Sequence, residues 1–369
     1  MLSKFQQSIF SAIETNNVEQ LSELLKLYQM AKQPDQVARK LEVYDKENFS
    51  FSLQCYNDDG LTPVALAVAN GHTKAVELLL AEGADANRQN NLCQTPVFIA
   101  AAKGHNECLE LLLKVPGIDK DTPNKNDLPP VAIAVTNGHT KAVELLLDNG
   151  AAANGRDKWG QTPVFIAAWN ERYECLERLL EVPGIDKDTP NQEGETPVAR
   201  AVANGHAKDV ELLLAKGANA NGRDNLGRTP VFIAAWKGRH EYLASLLKVP
   251  DIDAVTPNEH GFTPLAIAVR EGHTAVVKLL LLYSNVDSVK NSGQQYPEIV
   301  SILQSAIQLK EAIGSLIQGD AAKALQALKS SFIKYVTTPF DFLEKLLRGE
   351  RSLPHYFPEE KEADFLQPF

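Results

Sequence analysis

Three tryptophans, Trp159, Trp169 and Trp236, and one out-of-place arginine, Arg200, carry the most pointed chemistry in this sequence. An indole face attracts cations, and an arginine over it gains about 0.5 to 2 kcal/mol depending on exposure. Tryptophan and arginine are also the types most enriched among residues that carry binding energy at interfaces. Arg200 lies in "GETPVARAVANGH", whereas the sister phrases "LTPVALAVANGH", "PPVAIAVTNGH" and "FTPLAIAVREGH" place Leu66, Ile133 and Ile267 there. An arginine among aliphatics has to be explained by the elements around it.

Other reactive types are present without the spacing that reactions need. Cys55, Cys93, Cys108 and Cys175 form no CxxC pair and no metal-like pairing with histidine. Cys108 and Cys175 recur in "NECLELLL" and "YECLERLL" on an apolar helical stripe, which predicts reduced, buried thiols acting as small hydrophobes. Six of the eight histidines, His72, His105, His139, His206, His240 and His273, fall in or beside a turn between two helices, where hydrogen bonding within the turn is their expected role. No glycine-rich phosphate loop, GxSxG or nucleophile–base pair occurs. The sequence assigns no catalytic, cofactor-binding or metal-binding residue, and it reads as a protein without enzymatic activity.

Charge narrows the partner. With 47 acids against 37 bases the net charge is −10, and no stripe of lysine and arginine awaits a phosphate backbone, so nucleic acid is not expected. No apolar run of transmembrane length exists, and the N-terminus lacks the apolar core of a signal peptide. A membrane partner is not expected either, and the chain reads as a cytoplasmic monomer.

What positions these residues is a repeat. Pro63, Pro96, Pro130, Pro163, Pro197, Pro230 and Pro264 follow one another at alternating intervals of 33 and 34, which makes a larger unit of 67. Threonine before the proline is a helix N-cap, proline occupies the first helical position, and glycine after a short helix ends it. A second helix such as "TKAVELLLAEG" puts Val76, Leu79 and Leu80 on one face. Neither helix can bury its apolar face alone, so neighbouring copies must stack.

Phrases such as "DNLGRTPVFIAAWKGRHEYLASLLKVP" and "DGLTPVALAVANGHTKAVELLLAEGADAN" resemble ankyrin repeats. The resemblance covers residues 57–289 and implies an all-α solenoid: stacked helix pairs with β-turn fingers, helical caps at both ends, and a concave face that binds other proteins. Residues 1–56 read as an N-terminal cap with an inserted segment, 290–349 as a C-terminal helical cap or module of about three helices, and 350–369 as an acidic tail. The "EEKE" of that tail resembles the glutamate-rich signals of bacterial type IV secreted effectors, which implies secretion into a host cell.

The repeats depart from the family in three ways. After Thr-Pro-Val, small and large residues alternate, from Ala65 and Phe98 to Ala199 and Phe232, which predicts interdigitating layers. Pro129 replaces the N-cap threonine in the third repeat, and Glu171 stands where sister repeats have glycine. If the left-handed backbone is kept there, the side chain costs on the order of 1 to 2 kcal/mol.

In this fold the finger tips and the ends of the first helices are free to vary, and they line the concave face. The partner-binding set expected there is Trp159, Trp169, Asn170, Arg200, Asn204, Arg228, Trp236 and Lys237, centred on the fourth to sixth repeats. Arg200 precedes Ala203 and Asn204 by three and four residues and so shares their face. A neighbouring indole and the carboxylates of Glu195 or Glu171 are its expected contacts. The expected function is a non-enzymatic scaffold or adaptor that binds another protein, of the bacterial effector type. The rival reading is a substrate-recruiting array for an enzymatic activity in the C-terminal helices.

Overall fold

The computed structural model describes residues 4–31, 53–284, 286–289 and 291–317. It falls into two compact units, residues 1–219 and 220–369. Helices are the only regular structure among the described residues.

The first unit opens with the pair α1 (Lys4–Glu14) and α2 (Val18–Ala31). Five repeats follow: α3 (Pro63–Ala69) with α4 (Thr73–Ala81), α5 (Pro96–Lys103) with α6 (Asn106–Leu113), α7 (Pro130–Asn137) with α8 (Thr140–Asp148), α9 (Pro163–Trp169) with α10 (Tyr173–Leu179), and α11 (Pro197–Asn204) with α12 (Ala207–Ala215). First helices pack on first helices and second on second, and α1 and α2 continue both rows by packing on α3 and α4. The second unit contains α13 (Pro230–Lys237) with α14 (His240–Leu246), α15 (Pro264–Glu271) with α16 (Thr274–Leu280), and α17 (Pro297–Ile317), which packs against α16. This last helix is the first of the three expected at the C-terminal end. The insertion expected at 29–51 begins within α2, and the rest of it, the other two expected helices and the tail lie outside the described residues.

Local chemistry sets each repeat. Six threonines, from Thr62 to Thr263, accept the third amide of the helix they cap at 3.1 to 3.3 Å. Pro129 offers no such bond, so α7 begins without a side-chain cap. Gly104, Gly138, Gly205, Gly238 and Gly272 end first helices in the left-handed region. Glu171 keeps that backbone with φ of 55°, at a cost a glycine would avoid. Large and small residues alternate as the sequence implied. Phe98, Phe165 and Phe232 are buried, as are Ala65, Ala132 and Ala199 of the other layers. Cys108 and Cys175 are buried too, and burial pushes both thiols up from their ordinary pKa.

The turn histidines do a different job from the one expected. Their rings reach back one layer: His72 to the carbonyl of Ile13 (2.8 Å), His105 to Ala69 (3.3 Å), His139 to Ala102 (3.2 Å) and His206 to Ala168 (2.9 Å) in the first unit, and His273 to Trp236 (3.0 Å) in the second. Each satisfies a carbonyl left over at the end of the preceding first helix, so these bonds tie layers together. In the fourth repeat Arg172 takes this place and donates to the carbonyl of Thr136 through Nε and Nη2. His240 is not part of the series; it starts α14 and is exposed.

A second set of ties alternates with the 67-residue unit. Asn87, Asn154 and Asn221 each donate to one carbonyl and accept one amide from the loop that follows the next second helix. At the intervening junctions the carboxylates of Asp121 and Asp188 accept the amides of Ala152 and Asn219. The two kinds of loop therefore meet through two different chemistries.

Candidate functional site

Side-chain acceptors close the finger turns. Asp157 accepts the amides of Trp159 and Gln161 at 2.9 and 2.8 Å, and Asn191 and Asp224 do the same in their fingers. Turns of this kind replace backbone partners with a side-chain acceptor and present the tip residue to solvent. Trp159 is such a tip residue, 48% exposed, with the Lys158 ammonium 4.5 Å from its ring centre.

Trp169 closes α9 and is 38% exposed. Its indole stands edge-on to buried Phe165, with centroids 6.0 Å apart and planes at 81°. The Arg200 guanidinium carbon lies 4.7 Å from the Trp169 centroid and 5.9 Å from that of Phe165. The cation is fixed by Glu195, which accepts from its Nη2 and also from Nδ2 of Asn191. Of the carboxylates considered for Arg200, Glu195 is thus the one it pairs with, and the indole it covers is that of Trp169.

Asn170 and Asn204 have structural duties. The Asn170 amide donates to the carbonyl of Ile166 at the end of its own helix, and that of Asn204 donates to the carbonyl of Trp169 at 2.9 Å. Both cap helix ends and leave an acceptor oxygen for other contacts.

In the second unit Trp236 is half-buried. Lys237 places its ammonium 4.3 Å, and Arg228 its guanidinium carbon 5.5 Å, from the indole centre. Arg228 is held by Asp224 at 2.6 Å. Phe262 has its own cation, with the Arg270 guanidinium carbon 4.8 Å away.

Asp209 is the residue that sequence reasoning passed over. It stands on α12 where Ala75 and Ala142 stand in sister helices, it is 1% exposed, and neither carboxylate oxygen has a hydrogen-bond partner. Burial pushes its carboxyl up to about 6; His206, 3.9 Å away, opposes that shift, and Glu171 and Glu174 reinforce it. The signal was one acid in the otherwise apolar place of "AKDVELLLA".

The arrangement offers exposed aromatic faces with fixed cations over them, a geometry for recognition. Among the described residues no three His, Cys, Asp or Glu side chains converge as metal ligands would, and no described helix is long and apolar enough to cross a membrane.

A family model for ankyrin repeats (3 copies) matches residues 9–124, 100–191, 183–257 and 200–292, well over half of the sequence. The chain belongs to the ankyrin-repeat family. Ankyrin repeats generally mediate binding between proteins. Among curated proteins, alpha-latrocrustotoxin-Lt1a of Latrodectus tredecimguttatus is 36% identical over 112 residues, 30% of this chain and 8% of that protein. Rabankyrin-5 of Mus musculus is 30% identical over 135 residues, 36% of this chain and 12% of that protein. The chain therefore spans only about a tenth of these relatives. The crystal structure of the ankyrin repeat domain of Bcl-3, titled a unique member of the IkappaB protein family, matches with a TM-score of 0.54 at 28% identity, over 60% of this chain and 99% of that one.

Proposed function

We propose that this ankyrin-repeat chain is a non-enzymatic scaffold that binds another protein through the finger tips and first-helix ends of its fourth to sixth repeats. The observation that carries the reading is Trp169, an exposed indole under an arginine that Glu195 already holds in place. A preformed anchor loses little side-chain freedom on binding, so more of its contact energy appears as affinity. Trp159 in the same repeat, and Trp236 with Arg228 and Lys237 near its ring in the second unit, present the same pairing of indole and cation. The setting we propose is a cytoplasm, reached in the effector case by secretion from a bacterium into a host cell.

The test is affinity capture with the whole chain beside a Trp169→Ala/Trp236→Ala double variant, each checked for its helical content. A partner retained by the first and lost by the second supports the assignment. Equal retention of every partner by a folded double variant would place binding elsewhere.

A further inference from the structure

Taken together, the first helices of the repeats carry a small cationic excess and the second helices an anionic one, although the seventh repeat reverses this with Lys278 on α16. On the seven first helices, α3 through α15, the charged residues are Lys103, Arg200, Lys237 and Arg270, with Glu271 as the single anion. The second helices carry the opposite excess, with pairs such as Glu107 and Glu110 on α6 and Glu174 and Glu177 on α10. In a chain of net charge −10, the cations Lys237 and Arg270 on the first helices of the second unit are a local exception, and such exceptions select partners and speed their approach.

In the second unit these cations are combined with apolar surface. Lys237 lies over Trp236, Arg270 lies over Phe262, and Leu226 at the finger tip is 42% exposed. Exposed Arg270 shares its charge with half-buried Glu271, a surface pair that a partner carboxylate can replace at little cost. Lys237 has no carboxylate within ion-pair distance among the described residues. An aromatic ring with a cation on its face offers two contacts at once, apolar on the ring and anionic at the cation. A continuous polyanion fits poorly, because the finger of the seventh repeat presents exposed Glu259. Discrete carboxylates around an apolar side chain match both features.

We infer that the finger-side face of the second unit recognises an acidic peptide segment, in which carboxylates reach Lys237 and Arg270 while an aromatic or aliphatic side chain between them packs on Trp236 and Phe262. This rests on the reading of the chain as a protein-binding scaffold.

The experiment is selection from a displayed random-peptide library by the whole chain and by a Lys237→Glu/Arg270→Glu variant whose circular dichroism and melting match the parent. The parent should select peptides rich in aspartate and glutamate around aromatic or aliphatic residues. Their affinity should fall at least about tenfold in the variant at low salt, with the gap narrowing at high salt. Selected peptides that bind without acidic enrichment, or that bind the variant equally, would overturn the inference and leave the scaffold reading standing. Failure to select any peptide would count against both.

Discussion

Arg200 and Glu195 form an ion pair in which the arginine side chain is 20% and the glutamate side chain 10% exposed. In the first and third repeats the corresponding places hold Leu66 with Leu61 and Ile133 with Leu128. A charged pair has therefore replaced an apolar pair between finger and first helix. Such a pair is weak support for stability, because two charges leave water to form it. Its use here is to hold a cation over Trp169.

Restoring leucine at Arg200 alone is consequently not neutral, as the sister phrases by themselves would imply. Arg200→Leu leaves the Glu195 carboxylate with the Asn191 amide but without its counter-charge and is expected to destabilise the chain by about 1 to 3 kcal/mol. The double variant Arg200→Leu/Glu195→Leu rebuilds the sister pair and is expected to regain that loss or exceed it. Urea melts of the two single variants and the double measure the coupling directly. Additive single effects would show that the pair does not act as a unit.

Phe165 is fully buried and supports the Trp169 indole from below. Phe165→Ala is expected to cost about 3 to 5 kcal/mol, and Ala199→Phe in the next layer about 1 to 3 through overpacking. Denaturant melts of both variants check this. Equal tolerance of the two changes would mean that the alternation has no packing role.

Asp209 makes stability depend on pH in a direction opposite to that of a paired acid. Its folded pKa is raised to about 6 from 3.8, so the folded state prefers the proton. The penalty is absent below about pH 4, grows up to about pH 6, and is full above that, at roughly 3 kcal/mol. Asp209→Ala should therefore stabilise the chain at neutral pH and give no gain at about pH 4. An equal effect at both pH values would mean that the side chain acts through packing and not through charge.

Glu171 holds a left-handed backbone that its sister positions give to glycine, and it adds to the repulsion at Asp209. Glu171→Gly should raise stability by about 1 kcal/mol and lower the pKa of Asp209. Thermal melts across pH separate the two effects, since only the second varies with pH. A melting temperature below that of the parent at every pH would contradict both.

The sequence made the repeat legible because its signals are local. Thr-Pro, the closing glycine and the short apolar runs act within one helix, and the tryptophans were placed on the surface because they lie at helix ends and finger tips. The unread features depend on residues about thirty positions apart. Nothing within a single turn shows that His139 reaches Ala102, or that Asn87 serves the loop at Gly117 and Asp119. Asp209 escaped for another reason, because one acid in a regular helix reads as surface unless its face is known to be inward.

The two junction chemistries permit a deletion test within the first unit. Removing residues 87–153 joins Ala86 to Asn154 and recreates an asparagine junction, while removing residues 87–119 sets unlike loops against each other. The longer deletion is expected to melt cooperatively and at the higher temperature of the two. A reversed order would mean that loop pairing does not set the register.

Junctions that alternate give the chain a parity. A gene that gains or loses the coding length of two repeats keeps every asparagine opposite its proper loop, and one that gains or loses a single repeat leaves a seam where donors face no acceptors. A change of length by two repeats is therefore expected to be tolerated better than a change by one. The "TPVFIAA" segments at Thr95, Thr162 and Thr229 are identical and recur at this same spacing of two repeats.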